Sequence, residues 1–285
     1  MKREIVLMLL LVNAFQCVEP ARILSVFAHI GKSHFDVFEP YLEQLALRGH
    51  EVVSISHFPR KQPLQNFRDI DLRGTFVINN TVDIIDLNLL QDFGNVESLL
   101  MLSYWGELAC EGTFQHPEVQ KLLHSDIKFD LLVTEMFNTD CFLSLAHKFK
   151  IPVITFSTCV FMPWHPDRIG EPDNPSYIPI QFVKSSCRMD FSERLLNTFW
   201  QVFHKIGSYY LMNIRAHKVA SKYFDDSLPP LSELARNTSP VFSNNQFSVN
   251  GPRPHVPGVI EIGGIHIKPA KKLPKVSEGL RFIHS

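Results

Sequence analysis

Residues 22–57, with the sequence RILSVFAHIGKSHFDVFEPYLEQLALRGHEVVSISH, decide the fold class. The apolar runs at 22–28 and 50–57 predict two strands, and segment 35–48 between them has the periodicity of an amphipathic helix. Its apolar side falls at four positions spaced by three or four residues: Phe38, Tyr41, Leu42 and Leu45. A strand, a helix and a second strand within about 35 residues form a βαβ unit, which belongs to a parallel sheet.

The rest of the chain continues this alternation. Further strands are predicted at 76–79, 82–86, 128–135, 151–157, 241–247 and 256–262. Helices are predicted within 91–125, 140–150 and 191–224, and the prolines of 161–177 predict a long loop. The fold class is therefore α/β, a Rossmann-like doubly wound sheet that is mostly parallel. Because such sheets bind ligands at the carboxyl ends of their strands, the candidate loops are 29–33, 136–139 and the one after Ser157.

The composition limits the classes of partner. The 285 residues include 28 Lys plus Arg and 29 Asp plus Glu, for a formal net charge of −1. Nucleic-acid binding needs clustered, uncompensated cations, so a nucleic-acid partner is not expected. The hydrophobic fraction of 45% is sufficient for a buried core and excludes a disordered chain.

The first 19 residues have the features of a secretory signal peptide. Lys2 and Arg3 precede the apolar run 5–12, which is too short to span a bilayer. No later run approaches the roughly 18 apolar residues of a membrane span, so no transmembrane helix is expected in the mature chain. Glycosylation sequons at Asn79 and Asn237 agree with a secretory route. The expected location is the lumen of the endoplasmic reticulum or the cell exterior.

The spacing of the cysteines and the absence of several motifs exclude certain kinds of site and reaction. The cysteines are too widely spaced for a disulfide scaffold or a zinc site and are expected to be buried free thiols, except the first, which leaves with the signal. They are Cys17, Cys110, Cys141, Cys159 and Cys187. The chain contains no glycine-rich dinucleotide fingerprint, Walker A loop, nucleophile elbow or zincin motif. The pair Asp69 and Asp71 is interpreted as a solvated loop, so no metal is expected.

A histidine after the first strand is the candidate general base. His34 lies at the start of the predicted helix, where the ligand crevice of this fold opens, and His29 lies in the same loop. The positive end of the helix dipole is expected to lower the pKa of His34 and keep it neutral, as a base requires. On position alone, either histidine could also be an ordinary exposed loop residue.

Two carboxylates could orient such a histidine. Glu135 ends the predicted strand 128–135, and Asp140 precedes the next helix. Either could accept a hydrogen bond from the imidazole and stabilise its charged form. Asp140 could instead serve simply as a helix N-cap, which is the commoner role of such a residue.

These residues lie in segments that resemble the N-terminal half of the UDP-glycosyltransferases, especially the insect enzymes. The similar segments are 21–27 with Ser33-His34-Phe35 and 47–52, then 129–141, 149–153 and 250–275. The resemblance implies a GT-B enzyme with two Rossmann-like domains, of which the N-terminal one binds an apolar acceptor. After the signal predicted at 1–19, it places the acceptor domain at 20–268 and a truncated interdomain linker with a divergent tail at 269–285.

The resemblance also assigns roles. It implies that His34, rather than His29, deprotonates the acceptor hydroxyl, which attacks the sugar of a UDP-sugar with inversion. Asp140 is the preferred orienting carboxylate, with Glu135 as the alternative. No cofactor or metal is implied; the co-substrate is a UDP-sugar, with UDP-glucose the expected one. The acceptor class is small lipophilic alcohols and phenols, as in detoxification.

Aromatic residues are candidates for the acceptor pocket. Phe161 and Trp164 lie in the proline-rich loop, and Trp105 lies in a predicted helix. A pocket for a lipophilic acceptor would be apolar and aromatic, although core packing accounts for such residues equally well.

The end of the chain departs from the family pattern. The resemblance implies a donor-binding half that residues 1–285 do not include, so this chain is expected to be inactive alone, because nothing would position the UDP-sugar. The alternative is a truncated, non-catalytic domain that binds lipophilic ligands or forms homo- or hetero-oligomers with full-length partners. A third reading is a fragment that does not fold for want of its domain interface.

Overall fold

A computed structural model describes residues 19–75, 94–184, 188–224, 227–238 and 240–270. The predicted signal peptide, the strands expected at 76–79 and 82–86, and the tail after 270 lie outside these residues, as do Cys17, Asn79 and Cys187.

Seven parallel strands form one sheet in the order β3-β2-β1-β4-β5-β6-β7. They are β1 (Arg22–Phe27), β2 (Glu51–Ser56), β3 (Phe67–Asp71), β4 (Leu131–Glu135), β5 (Val153–Ser157), β6 (Val241–Ser243) and β7 (Val259–Glu261). The chain builds outward from β1 in one direction as far as β3, then returns to the other side of β1 with β4. The α/β doubly wound parallel sheet predicted from the sequence is confirmed, and its topological switch point lies between β1 and β4.

Helices cover both faces of the sheet. They are α1 (Lys32–Leu47), α2 (Asn95–Gln115), α3 (Pro117–Leu123), α4 (Leu143–Phe149), α5 (Pro166–Ile169), α6 (Phe191–Ser208), α7 (Ile214–Ala220), α8 (Leu231–Arg236) and α9 (Phe247–Asn250), with a π-helical turn at Tyr209–Asn213 between α6 and α7. Among the described residues, no helix is both long and apolar enough to cross a bilayer.

The two largest hydrophobic clusters of the described residues lie on opposite faces of the sheet. Phe27 of β1 stacks on Phe38 of α1 with 3.5 Å between ring centroids, and Phe156 of β5 meets both rings edge-on. On the opposite face, fully buried Phe114 and Leu132 join α2 to β4. Burial on both faces explains why the central strands are almost continuously apolar in sequence.

Some local predictions were wrong. Asp69 and Asp71 lie in edge strand β3 rather than in a loop, and Asp71 pairs with Arg73 at 2.6 Å. The proline-rich loop contains the short helix α5, and strands β6 and β7 have only three residues each.

A disulfide connects α2 to the segment that follows β4. Cys110 is bonded to Cys141 across 31 positions, and both sulfurs are fully buried. The expectation that these two cysteines are free thiols was wrong, because packing of α2 against the sheet brings together residues distant in sequence. Cys159 is free, as predicted.

Candidate active site

Three segments converge at the carboxyl edge of the sheet beside the switch point. His34 lies in the first turn of α1, which follows β1; Glu135 is the last residue of β4; Thr158 follows the end of β5. Since β1, β4 and β5 are parallel neighbours, their carboxyl ends meet at one edge. The topology therefore brings together side chains more than a hundred residues apart.

The imidazole, the carboxylate and the hydroxyl form a closed hydrogen-bonded group. His34 Nδ1 lies 2.5 Å from Glu135 Oε1, and Thr158 Oγ1 lies 2.9 Å from the same nitrogen. The Thr158 hydroxyl also donates to Glu135 Oε1 at 2.7 Å. With Nδ1–H directed at the carboxylate, the neutral ring carries its lone pair on Nε2.

Electrostatics make His34 a stronger base than an isolated histidine. Burial disfavours the imidazolium, but the charge and hydrogen bond of Glu135 outweigh burial and raise the pKa of His34 above 6.5. Burial likewise opposes the Glu135 carboxylate, yet His34 holds the pKa of Glu135 below 4.5. The expectation that the helix dipole lowers the pKa of His34 was wrong, because the adjacent carboxylate dominates.

This pairing makes stability depend on pH in two ways. The stability that His34 contributes is complete below pH 6.5 and is lost as pH rises through its raised folded-state pKa. The contribution of Glu135 is present above pH 4.5 and is lost as pH falls through its lowered folded-state pKa. The pair therefore stabilises the fold most between those limits.

His29 and Phe137 form an aromatic wall beside His34. The His29 ring stacks on His34 with 4.1 Å between centroids, and Phe137 meets both rings edge-on. Burial and the neighbouring His34 lower the pKa of His29 to about 3, so it stays neutral. A side chain at Gly31 would come within 2.7 Å of the His29 ring, so glycine permits this close approach.

Asp140 takes no part in this group. Its Oδ2 pairs with Arg168 at 2.7 Å and accepts from Asn213 at 2.9 Å. Burial raises the pKa of Asp140 despite both partners. The preferred choice of Asp140 as the carboxylate on His34 was wrong, and the alternative Glu135 occupies that place. Asp140 is not an N-cap either, because α4 begins at Leu143 after Phe142.

None of the three predicted aromatic residues has a ring contact with His34, and two of them pack next to the segment that follows Glu135. Trp164 is buried and donates Nε1–H to the carbonyl of Phe137 at 2.8 Å. Phe161 packs against Met136, which precedes Phe137, and Trp105 is half-buried on α2. Trp164 also borders a separate polar cleft that includes Asp140 and Arg168. Phe137, which sequence reasoning missed, contacts His34 directly, as does the His29 ring.

No group of three His, Cys, Asp or Glu side chains in the described ranges is arranged to hold a metal ion. Asn237, the described sequon asparagine, is exposed at the end of α8.

A charge-removing pair of variants distinguishes the two carboxylates. Glu135→Gln is expected to move the pKa of His34 from above 6.5 to below it, because burial then acts without a compensating charge. Asp140→Asn should leave that pKa unchanged. NMR titration of the His34 ring signals measures both. If the pKa of His34 moved in Asp140→Asn and not in Glu135→Gln, the assignment of Glu135 as its partner would be contradicted.

Comparison with known proteins identifies the family. Residues 84–284, more than half of the chain, match the model of the family described as UDP-glucoronosyl and UDP-glucosyl transferase. The chain belongs to the UDP-glycosyltransferases. Two relatives come from Dactylopius coccus: UDP-glucosyltransferase 2 is 36% identical over 89% of this chain and 49% of its own length. UDP-glycosyltransferase UGT5 is 38% identical over 92% of this chain and 50% of its own length.

Less similar proteins match over similar spans. The 2-hydroxyacylsphingosine 1-beta-galactosyltransferase of Rattus norvegicus is 26% identical over 94% of this chain and 49% of its own length. A solved structure of Phytolacca americana UGT2, complexed with UDP-2fluoro-glucose and pterostilbene, is 14% identical over 88% of this chain and 55% of its own, with a TM-score of 0.42. The chain thus spans about half the length of the curated relatives it matches.

Proposed function

We propose that this UDP-glycosyltransferase chain forms the acceptor-binding and base-carrying half of an inverting GT-B enzyme. The enzyme transfers a hexose, expected to be glucose, from a UDP-sugar to a hydroxyl group of a small lipophilic molecule. The observation that carries the proposal is the buried His34–Glu135 pair at the carboxyl edge of the sheet. Membership of the family supports the reaction class, and the pair supplies the base that the reaction requires.

The proposed chemistry uses Nε2 of His34. As the acceptor oxygen attacks the anomeric carbon, its proton passes to Nε2 while the bond from that carbon to the diphosphate breaks and UDP leaves with the electron pair. The imidazolium formed is stabilised by Glu135 through Nδ1–H. Attack opposite the leaving group inverts the anomeric carbon. The imidazole keeps 19% of its surface accessible, which leaves room for the hydroxyl to approach.

The acceptor would meet an apolar wall next to the base. Phe137 contacts His34 directly, and Trp164 and Phe161 pack behind it through Phe137 and Met136. Such a lining favours aromatic and aliphatic alcohols over highly charged acceptors. Trp105 stays a candidate on the strength of its partial exposure alone.

A secretory location belongs to the same proposal. A buried disulfide such as Cys110–Cys141 forms and persists in an oxidising compartment. The exposure of Asn237 is compatible with glycosylation there, and residues 1–19 supply the proposed signal. The lumen of the endoplasmic reticulum and the cell exterior both satisfy these requirements.

The length comparison supports a proposal for the donor site and the partners. Because the chain spans about half of its relatives, UDP-sugar binding is assigned to the half that they possess beyond the matched region. The chain on its own would then bind acceptor without turnover. As the alternative proposal, such a chain would act as a lipophilic-ligand domain or associate with full-length family members.

Two measurements test the proposal. Tryptophan fluorescence of the chain should report binding of phenolic acceptors but not of UDP-glucose. A chimera that joins residues 20–268 to the C-terminal half of UGT5 should convert UDP-glucose to a β-glucoside, whose anomeric configuration NMR reveals. Acceptor binding by the chain with no transfer by the chimera would favour the binding-domain alternative. Transfer with retention would contradict the proposed mechanism.

A further inference from the structure

The hydroxyl of Thr158 has an unusual place in the candidate site. Its oxygen lies 2.9 Å from His34 Nδ1 and 2.7 Å from Glu135 Oε1, so it touches both members of the pair. Oε1 has two lone pairs, which can accept the Nδ1–H of the imidazole and the O–H of the threonine together. The two donors therefore share one carboxylate oxygen.

Hydrogen bonds fix the backbone at Thr158 and at the residue that follows it. Asn244, just after β6, donates its Nδ2 to the Thr158 carbonyl at 3.1 Å, and the Ser157 hydroxyl donates to the Cys159 carbonyl at 2.9 Å. The Asn244 side chain in turn accepts the backbone N–H of Gly264 at 3.4 Å. The hydroxyl is thus held against the pair by its surroundings rather than placed there by a free loop.

Resting on the proposed function, we infer that Thr158 is a positioning residue that tunes the base by sharing Glu135 Oε1 with His34. A hydrogen bond donated to a carboxylate stabilises its charge and reduces the strength with which it binds another proton donor. The threonine proton therefore weakens the hold of Glu135 on the imidazolium. A base works best when its pKa lies near the working pH, and Thr158 restrains the increase that Glu135 causes.

The titratable groups around His34 determine whether its titration can report this effect. His29 has a pKa of about 3 owing to burial and to His34, and burial and Glu135 raise the pKa of Cys159 to about 12. Beyond His29, burial lowers the pKa of His57. His29 and Cys159 thus stay neutral near pH 7, so a titration of His34 in that range reports chiefly on Glu135 and on what bonds to it.

Removal of the hydroxyl tests the inference. In Thr158→Val, which keeps the shape of the side chain, the pKa of His34 is expected to rise by about half a pH unit, since Glu135 loses a donor. Thr158→Ser should keep the wild-type value because it retains the hydroxyl. NMR titration of the histidine ring in the full chain measures both, with Thr158→Ala as a second hydroxyl-free variant should Thr158→Val not fold.

A matched control is Thr155→Val, because the Thr155 hydroxyl is buried without a hydrogen-bond partner. It should leave the His34 titration unchanged. An unchanged or lowered His34 pKa in the hydroxyl-free variants, or the same shift in Thr158→Ser, would overturn the inference.

In the chimera, the acid limb of the pH–rate profile should move upward with the pKa in Thr158→Val and stay in place in Thr158→Ser. If the wild-type chimera is active and the acid limb does not move in Thr158→Val, the inference about Thr158 fails while the proposed function stands. If the chimera transfers no sugar but the His34 pKa rises in Thr158→Val of the chain, the proposed function fails. The sharing of Glu135 Oε1 by Thr158 and His34 is then still supported.

Discussion

His34→Ala is expected to reduce glucosyl transfer by the chimera about 10³-fold, within the usual contribution of a general base. The variant removes the group that takes the acceptor proton and leaves Glu135 without its partner. Acceptor binding should change much less, because Phe137 and the residues behind it remain. Steady-state kinetics should therefore show the loss in kcat, with acceptor KM changed only slightly.

A histidine outside the site serves as control. His124 is exposed at the end of α3, and His124→Ala should keep full activity. If His34→Ala retained most of its activity, the base would have to be another group, and the neighbouring His29 would be the next to test. Comparable losses in both variants would point to a general folding defect.

The βαβ unit could be predicted because its signals are local. Apolar runs and helical spacing fix β1, α1 and β2 without knowledge of the rest of the chain. The edge strand β3 was not predicted because charged residues occupy three of its five positions, Arg68, Asp69 and Asp71, and aspartate is unfavourable in strands. At a sheet edge, pairing with β2 outweighed that preference.

The site was predictable in part. The position of His34 after the first strand and the resemblance both predicted it as the base, and the structure places its ring at the carboxyl edge of the sheet beside Glu135. The choice between Glu135 and Asp140 depended on where β4 ends and which way the chain turns afterwards. Arg168, from the distant α5, holds Asp140 away from the base. Thr158 lies in a predicted candidate loop, but a lone hydroxyl carries no sequence signal for its contacts.

Loss of the Cys110–Cys141 disulfide is expected to lower the free energy of unfolding substantially. Closing a loop of 31 positions restricts the unfolded chain, and such a crosslink stabilises by roughly 3–4 kcal/mol. The double variant Cys110→Ala with Cys141→Ala should show this loss in chemical denaturation. Cys159→Ala, which removes the free thiol, should cost much less.

Reduction separates the crosslink from the packing of the two sulfurs. A reductant should lower the stability of the wild-type chain towards that of the double variant and leave the double variant unchanged. If the reductant lowered the stability of the wild-type chain and of the double variant equally, the stability lost on reduction would not come from the Cys110–Cys141 crosslink. Because Cys141 follows Asp140 in the segment between β4 and α4, the reduced chain should also bind acceptor more weakly at unchanged His34 pKa. Weaker acceptor binding with an unchanged pKa would mean that reduction loosens the wall of the acceptor pocket and does not alter His34.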